Sequence, residues 1–353
     1  MHRPAIEHHN PTEMSLDPSP PHSLAVVIPC YRERAHIDRL LGAIPPEVSF
    51  VYCVDDACPE GTGDHVLKTC RDPRVKVIRH AKNLGVGGAT VTGYRAALAD
   101  KADIVVKLDG DGQMDPALIP KFVEPILEGK ADYTKGNRFY SLAFAKQMPT
   151  VRKIGNAALS FLSKFSTGYW RLFDPNNGYT AIHAKVLRLI PLEKLDRGFF
   201  FEPDLLFRLN TLRAAVLDIP LVASYGNEQS FLSVPKIIPH FLVRHSVNFF
   251  KRIFYNYFLR DFSIASIEWV LGPVALIFGF LFGLSKWVES IERGISATSG
   301  TVMVAALSVI VGLQLTLAAL SFDIERQPTS PIHPLLRGDE ATSGAGGQIA
   351  NVS

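Results

Sequence analysis

The first part of the chain alternates short apolar runs with segments of helical spacing. Each run is short and largely continuous, as in strands buried on both faces of a sheet; the runs are LAVVIP, SFVYCV, RVKVIRH and ADIVVKL. Between the first two, RERAHIDRLLGAI places Ile37, Leu40, Leu41 and Ile44 at helical spacing. Strands that alternate with helices predict an α/β fold with a mostly parallel sheet and helices on both faces.

The far end of the chain has a different pattern, with two uncharged apolar segments at residues 269–285 and 301–322. A helix needs about 20 apolar residues to cross a bilayer, with about 17 as the lower limit. The segments therefore predict a two-helix transmembrane hairpin over residues 263–323, connected by the short stretch 286–300. The alternative is a pair of buried helices in a soluble protein.

The stretch VRHSVNFFKRIFYNYFLRDF, upstream of the hairpin, is both basic and aromatic. It predicts interfacial amphipathic helices over residues 233–262, lying on an anionic leaflet. The positive-inside tendency then places the globular domain on the cytoplasmic side of a cytoplasmic (inner) membrane. Gly279 and Gly283 form G-x-x-x-G, which is either a coincidence or the face of a homo-oligomer formed through the hairpin.

Composition narrows the function classes. The chain has 353 residues, of which 47% are hydrophobic and 20% charged, so it is not a disordered chain. Disordered tails are predicted only at residues 1–23, which lack the apolar core of a secretory signal, and at residues 324–353. The net charge of +3, without a Lys/Arg run, predicts no nucleic-acid partner. The four cysteines form no C-x-x-C pair, which indicates reduced thiols rather than a zinc site.

The most informative stretch is VVKLDGDGQMDP, in which Asp109, Asp111 and Asp115 follow a buried strand. Close carboxylates repel one another unless a positive charge lies among them, and a divalent cation is the obvious candidate. Oxygen ligands from Asp109, Asp111 and Gln113 suit Mg²⁺ or Mn²⁺, and magnesium is commonly shared with substrate phosphates. Asp115 is also a natural helix cap before Pro116. The sequence lacks G-x-x-x-x-G-K-[ST], which argues against a P-loop nucleotidase.

Five motifs in order resemble the family 2 glycosyltransferases with a GT-A, Rossmann-type fold: VVIPCYRE, VDDACPEGTGD, NLGVGGATVTGYRAAL, KLDGDGQMDP and GNRF. With the hairpin, the resemblance narrows to polyprenyl-phosphate sugar synthases, a group that includes dolichyl-phosphate mannose synthase. It implies a glycosyltransferase domain over residues 24–232. It also implies a nucleotide-sugar donor, a polyprenyl-phosphate acceptor and a Mg²⁺ or Mn²⁺ cofactor.

The resemblance also implies roles for residues on the donor side. Asp55 matches the residue that reads the base or ribose, and Asp56 supports it. Asp109 and Asp111 match the metal–diphosphate pair, with Asp111 counted as catalytic and Gln113 as a further metal ligand. Cys58 departs from the serine that many relatives have. The other residues implied to bind the nucleotide sugar are Pro29, Tyr31, Glu33 and Gly85.

On the acceptor side, the resemblance implies that Arg138 and Arg152 hold a phosphate. A lipid monophosphate is largely a dianion at neutral pH, so it needs positioning and charge compensation more than a strong base. Arginine supplies both in a fork geometry. Lys153 is a further candidate, and each of these three cations could instead be a solvated surface charge. Further candidates are Asp174, from a D-x-x-x-G pattern or an ordinary turn, and Glu202, as a catalytic or sugar-orienting acid or as a helix-stabilising acid.

The predicted function is inverting transfer of a sugar from a UDP- or GDP-linked donor to a polyprenyl phosphate, for the synthesis of cell-envelope glycoconjugates. Undecaprenyl phosphate is the acceptor expected in bacteria. One alternative is a transferase that elongates a lipid-linked oligosaccharide or a polysaccharide, although GYWR does not match the Q-x-x-R-W of processive synthases. A second alternative is a non-catalytic domain that recruits partners to the membrane.

Overall fold

A mixed seven-stranded sheet forms the centre of the protein in a computed structural model that describes residues 22–140, 150–221 and 234–336. The strand order is β3-β2-β1-β4-β6-β5-β7. Six strands run in one direction, and β6 alone is antiparallel to its neighbours β4 and β5. The strands are β1 Leu24–Cys30, β2 Val48–Asp55, β3 Val75–Arg79, β4 Ile104–Lys107, β5 Tyr133–Asn137, β6 Thr180–His183 and β7 Val216–Pro220.

Helices cover both faces of this sheet. Those of the globular domain are α1 Ile37–Gly42, α2 Thr62–Thr69, α3 Val86–Ala99, α4 Ile119–Leu127, α5 Thr150–Thr167, α6 Ala184–Leu187 and α7 Phe201–Leu212. Three further helices follow, α8 Val234–Phe254, α9 Ile264–Arg293 and α10 Ser299–Glu325. Short 3-10 turns lie at Pro116–Leu118, Arg138–Tyr140, Leu192–Lys194 and His333–Leu335, and a π-helical segment, Tyr255–Arg260, follows α8.

The apolar runs become strands because the sheet buries both of their sides. Every residue of β1 and β4 is buried. Alternate side chains of β1 enter two different apolar clusters, with Val26 and Ile28 on one face of the sheet and Ala25 and Val27 on the other. The predicted α/β fold is therefore confirmed, and the loops after the parallel strands share one edge of the sheet.

The C-terminal apolar segments form a pair of packed helices, α9 and α10. Both are long and apolar enough to cross a membrane, and only 11% of the apolar window of each is buried. Their connection is shorter than predicted, because the helices continue beyond the apolar segments and leave only residues 294–298 between them. The added polar turns of α9 are stabilised by ion pairs from Glu289 to Lys286 (2.8 Å) and Arg293 (2.8 Å).

The glycines of α9 lie in the contact between the two helices of the hairpin. A Cβ on Gly279 would lie 2.8 Å from the backbone nitrogen of Val309, and one on Gly283 would lie 3.3 Å from Ala305 Cβ. The G-x-x-x-G face of α9 is therefore covered by α10, which allows the close approach that small residues give membrane helices. This contact accounts for the motif without a second copy of the chain, so the predicted oligomer through this motif is not supported.

Replacing Gly312 by alanine is expected to destabilise the hairpin by about 1–3 kcal/mol. A Cβ at Gly312 would lie 2.5 Å from the backbone nitrogen of Leu276 and 2.9 Å from the carbonyl oxygen of Gly272, so the two helices would have to separate. Thermal unfolding in detergent measures the effect. Gly300→Ala is the control, because a Cβ there approaches only Thr298 Oγ1, at 4.0 Å. Equal midpoints for the two variants would contradict the packing assigned to Gly312.

The segment after α10 differs from the predicted tail. Residues 324–336 continue α10 and then pack on the globular domain. Asp132 accepts hydrogen bonds from the backbone N–H groups of Ile332 and His333, and it lies 2.8 Å from His333 Nδ1. Lys185 Nζ donates to the carbonyl of Leu336 (3.0 Å). The polar composition that predicted disorder did not reveal that a buried aspartate binds this segment. The remaining tail predictions fall almost entirely outside the described residues.

A buried ion pair joins the hairpin to α8. Arg252 of α8 contacts both carboxylate oxygens of Asp323 in α10, at 2.6 and 2.9 Å. Asp323 also accepts hydrogen bonds from Tyr257 Oη (2.7 Å) and Trp170 Nε1 (2.8 Å). Since these partners come from α8, the π-helical segment and the loop after α5, one carboxylate fixes several elements beside the hairpin. The segment predicted to be interfacial is therefore also bound to the globular domain.

Candidate functional site

The loops after β1 and β4 are in direct contact at the carboxyl edge of the sheet. A Cβ on Gly110 would lie 2.8 Å from Glu33 Cγ and 3.3 Å from the carbonyl oxygen of Pro29. Glycine at position 110 therefore lets the loop after β4 (residues 108–115, the acidic loop) approach the loop after β1 (the first loop) closely. Tyr31 is 41% exposed, and Pro29, Tyr31 and Glu33 all belong to the loop that meets the acidic loop.

Asp55 and Asp56, at the end of β2, organise backbone around the same edge. Asp55 accepts hydrogen bonds from the N–H groups of Cys58 (2.7 Å) and Gly63 (2.7 Å). Asp56 accepts from the N–H groups of Leu84 (2.8 Å) and Gly85 (2.8 Å). Asp56 therefore fixes the turn into α3, while Asp55 lies at the start of α2.

Cys58 keeps polar contacts at the position where many relatives have serine. Its Sγ accepts a hydrogen bond from the backbone N–H of Arg32 (3.1 Å) and lies 3.1 Å from Thr62 Oγ1. Burial alone would raise the pKa of this thiol, but hydrogen bonds from Thr62 and from backbone groups lower it overall. The cysteine thus links the first loop to α2.

A buried lysine binds the acidic loop from the interior of the domain. Lys107, the last residue of β4, donates to Asp109 Oδ1 (2.7 Å) and Glu202 Oε1 (3.0 Å). Burial would lower the pKa of Lys107, but the two carboxylates outweigh it and raise the pKa. Glu202 lies in the first turn of α7. The structure therefore brings Asp109 and Glu202 together through one cation, and this pairing was not predicted.

The three aspartates of the acidic loop do not form one cluster. Asp109 pairs with Lys107, and Asp111 Oδ1 accepts a hydrogen bond from the backbone N–H of Gln113 (2.9 Å). Asp115 instead caps the following turn by accepting from the N–H of Ala117 (3.0 Å), as predicted. Within the described ranges, no three His, Cys, Asp or Glu residues are arranged to hold a metal ion. Two carboxylates remain on this loop, and magnesium needs only one or two when substrate phosphates supply the other ligands.

A single segment before β6 links the acidic loop to Arg138. At one end, Asp174 forms a two-point contact with the guanidinium, with Arg138 Nε at 2.7 Å and Nη2 at 3.2 Å. At the other end, Gly178 lies against the carboxylate of Asp109, and a Cβ there would be 2.7 Å from Lys107 Nζ. The D-x-x-x-G pattern is therefore explained. Its aspartate orients the side chain of Arg138, and its glycine leaves space for the ion pair of Asp109 and Lys107.

Replacing Gly178 by alanine is expected to destabilise the domain by about 1–3 kcal/mol and to impair transfer, because the methyl group would displace Asp109 or Lys107. A lowered midpoint of thermal unfolding, together with a lowered kcat, checks this. Gly155→Ala is the matched control, because a Cβ at Gly155 meets nothing within 4 Å. If Gly178→Ala keeps the activity and stability of the parent, the close contact with Asp109 is refuted.

A second buried lysine, Lys135, lies in register with Lys107 across β6, since both pair with Thr180. Lys135 Nζ donates to the carbonyl of Asn177. Burial lowers the pKa of Lys135 to about 8, against the raising influence of Glu202 and Asp174. For Lys107, the sequence signal was a lysine at the end of an apolar strand, where an apolar side chain is usual. The strand YTKGN around Lys135 is not an apolar run and gave no such signal.

Some predicted residues are not placed. The side chains of Arg152 and Lys153 lie outside the described side chains, although the backbone there begins α5. Arg138 is placed, with 42% of its side chain exposed, at the edge of a small cavity lined by Phe139, Ser160, Phe173 and Asp174, among others. The structure thus assembles the acidic loop, Glu202, Arg138 and Asp174, and does not test the other two cations.

A mostly parallel sheet with an acidic loop after its fourth strand defines this domain as a GT-A glycosyltransferase fold. The sequence model of "Glycosyl transferase family 2" matches residues 25–194. The chain is also 33% identical over 199 residues to the undecaprenyl-phosphate mannosyltransferase of Micrococcus luteus, covering 55% of this chain and 81% of that one. The chain belongs to glycosyl transferase family 2, and it is a glycosyltransferase.

Other similar proteins come from archaea and mycobacteria. A UDP-N-acetylglucosamine–dolichyl-phosphate N-acetylglucosaminyltransferase of Methanococcus voltae is 38% identical over 183 residues, covering 47% of this chain and 71% of that one. Among solved structures, glucosyl-3-phosphoglycerate synthase from Mycobacterium tuberculosis, in complex with Mn²⁺, UDP and glucosyl-3-phosphoglycerate, has a TM-score of 0.47 at 20% identity. That likeness covers 65% of this chain and 80% of the other.

Proposed function

We propose that the protein transfers a sugar from a nucleotide diphosphate donor to the phosphate of a polyprenyl phosphate. The observation that carries this proposal is the segment 174–178, which joins an arginine fork to the acidic loop at one edge of the sheet. The carboxylates of the acidic loop can bind the diphosphate of a donor through a shared divalent cation. A guanidinium held in a fixed orientation can bind the phosphate of an acceptor directly. The relatives named for undecaprenyl phosphate and dolichyl phosphate support this choice of acceptor.

The donor diphosphate is proposed to bind with Mg²⁺ or Mn²⁺ at Asp109 and Asp111, with Gln113 as a further ligand. The donor set fits such an ion, because it consists of carboxylate and amide oxygens on one loop. When bound, the ion would neutralise the charge that develops on the departing nucleoside diphosphate. Lys107 has a separate role, since its ammonium fixes the orientation of Asp109 from the protein side. Pro29, Tyr31, Glu33, Asp55 and Gly85 are proposed to surround the nucleotide.

The acceptor phosphate is proposed to bind at Arg138, with Arg152 and Lys153 as further cations. Asp174 receives a different role from the one predicted, because a carboxylate paired to Arg138 orients the guanidinium rather than binding a phosphate itself. The phosphate oxygen attacks the anomeric carbon opposite the leaving group and inverts it, and no strong base is needed. Glu202, which is paired with Lys107, is proposed to orient the sugar through its second carboxylate oxygen.

The hairpin is proposed to cross a cytoplasmic membrane, with the globular domain on the cytoplasmic side. The end of the hairpin is held beside the globular domain, since Trp170 donates to Asp323 and Arg213 donates to the carbonyl of Arg326, so a membrane around the hairpin would lie next to that domain. The basic and aromatic residues of α8 favour the cytoplasmic leaflet. A lipid-linked acceptor phosphate is then available without leaving the membrane.

The test is a transfer assay on the full chain in detergent with undecaprenyl phosphate and a panel of UDP- and GDP-linked sugars, in the presence of Mg²⁺, Mn²⁺ or EDTA. The expected result is a glycolipid that is labile to mild acid and absent in EDTA. If a donor binds but no lipid product forms, the acceptor is a larger glycan and the proposed acceptor is wrong. If no donor in the panel binds, the proposed donor site is wrong.

A further inference from the structure

A cluster of arginines lies where the hairpin meets the globular domain. Arg213 directly follows α7, Arg260 ends the π-helical segment and Arg326 follows α10. All three line one polar cavity, together with Asp261 and Asp323. Measured along α7 at about 1.5 Å per residue, Arg213 lies about 16 Å from Glu202, so this cavity is separate from the catalytic edge.

The cluster carries more positive charge than its own carboxylates neutralise. Arg326 pairs with Asp261, and Asp323 is already paired with Arg252. Arg213 donates to the carbonyl of Arg326 (2.7 Å), and Arg260 donates to the carbonyl of Thr211. Among the residues that the structure describes, neither Arg213 nor Arg260 has a carboxylate partner. The three arginines that line the cavity, counted together with Arg252 beside it, bring four positive charges against the two carboxylates, an arrangement that attracts an anion.

The protonated cluster is electrostatically unfavourable without such an anion. Burial lowers the pKa of Arg213, and the neighbouring charges of Arg326 and Arg260 lower it further. An arginine stays protonated at any physiological pH, so the repulsion is relieved by a bound negative charge rather than by loss of a proton. Phosphate oxygens match the planar fork of guanidinium groups and accept several N–H donors at once.

The position of the cluster identifies the kind of anion. Asp261 lies just before α9, and Arg326 lies just after α10, so the cavity is at the end of the hairpin that enters the membrane. Large apolar side chains beside it are exposed, namely Leu259 (65%), Phe262 (69%) and Ile264 (71%). A ligand with a phosphate at the cavity and acyl chains along these side chains would satisfy both surfaces.

We propose that Arg213, Arg260 and Arg326 form a binding site for the phosphate headgroup of an anionic phospholipid, distinct from the acceptor site. Basic pockets at the cytoplasmic ends of membrane helices bind such headgroups. Because the three arginines come from α7, the π-helical segment and the end of α10, a bound headgroup would hold the globular domain to the hairpin. The lipid acts here as a structural ligand and undergoes no reaction.

The test uses the full chain, delipidated in a neutral detergent, and the midpoint of thermal unfolding. Dioleoyl-phosphatidylglycerol is expected to raise the midpoint saturably, whereas dioleoyl-phosphatidylcholine is not. In Arg213→Gln/Arg260→Gln, the half-saturating concentration is expected to rise about tenfold or more, since two charged hydrogen-bond donors are lost. Lys251→Gln is the matched control, because it removes an exposed charge from α8 and leaves the cavity intact.

Further ligands show which kind of phosphate compound the site binds. Inorganic phosphate that reproduces the shift would overturn the lipid assignment, and so would undecaprenyl phosphate acting through these arginines while phosphatidylglycerol does not. If the double variant and Lys251→Gln have the same half-saturating concentration of phosphatidylglycerol, the lipid responds only to surface charge in general and the proposed site is wrong. If the double variant does not fold, native mass spectrometry of the parent and Arg260→Gln replaces it. Retention of one phosphatidylglycerol by the parent and its reduction in Arg260→Gln is expected; equal retention refutes the site.

Discussion

Replacing Asp111 by asparagine is expected to lower kcat for sugar transfer by about 100- to 1000-fold, the loss typical of a removed transition-state contact. Asp111 lies on the acidic loop after β4, where its Oδ1 accepts the N–H of Gln113. Asparagine can retain that hydrogen bond, so the loop keeps its shape. What the substitution removes is the negative charge that would hold a divalent cation against the donor diphosphate. Steady-state rates over a range of Mn²⁺ concentrations measure it.

The same loop supplies the control for that experiment. Asp115→Asn also removes one charge, but Asp115 only caps the next turn, and asparagine caps equally well. Its kcat is expected to stay within about twofold of the parent, since a preserved cap changes stability by a few tenths of a kcal/mol. Equal losses in the two variants would show that the loop responds to charge in general. Full activity of Asp111→Asn would remove Asp111 from the proposed metal site.

The expected difference between Asp111 and Asp115 also shows what the sequence could and could not predict. A strand followed by D-G-D-G-Q places carboxylates at the ligand-binding edge of a parallel sheet, and this placement is correct. The sequence equally offered Asp115 as a cap, and the structure confirms the cap. Local patterns therefore predicted which aspartates belong to the loop and which to the next helical turn.

The partners of these carboxylates could not be predicted from local sequence patterns. Lys107 is one residue in an apolar strand, and nothing nearby in the sequence shows that it reaches Glu202, which lies 95 positions away. β6 was not predicted either, because its four residues, TAIH, are too short to show a period. Its antiparallel direction nevertheless brings Asp174 and Gly178 to the edge where β4 and β5 end.

The C-terminal segment was mispredicted for a related reason. Composition describes how much apolar surface a segment can bury, and residues 324–336 have little. Their order depends on hydrogen bonds to Asp132, which lies 200 residues away from Ile332, and on the packing of Ile332 and Leu336 against the core of the globular domain. The two long apolar helices, by contrast, were predicted correctly, because length and apolarity are properties of each segment alone.

Replacing Arg138 by lysine is expected to lower kcat/KM for the lipid phosphate by about 100-fold, with little change in the KM of the donor. Lysine keeps the charge but not the planar fork that Asp174 holds through Nε and Nη2. A lysine ammonium there would pair with the buried Asp174 as a point charge and present no second edge to a phosphate. Initial rates at varied undecaprenyl phosphate, with the donor held at saturation, measure the effect.

Two companion variants decide how the loss is interpreted. Arg171→Lys makes the same chemical change at an exposed arginine and is expected to retain the parental kcat/KM. Asp174→Asn leaves Arg138 charged but removes the carboxylate that orients it, so it should lower kcat/KM for the lipid in the same direction as Arg138→Lys. If Arg138→Lys instead raises the KM of the donor and spares the lipid, Arg138 belongs to the donor side. The segment 174–178 would then orient the leaving diphosphate rather than the acceptor.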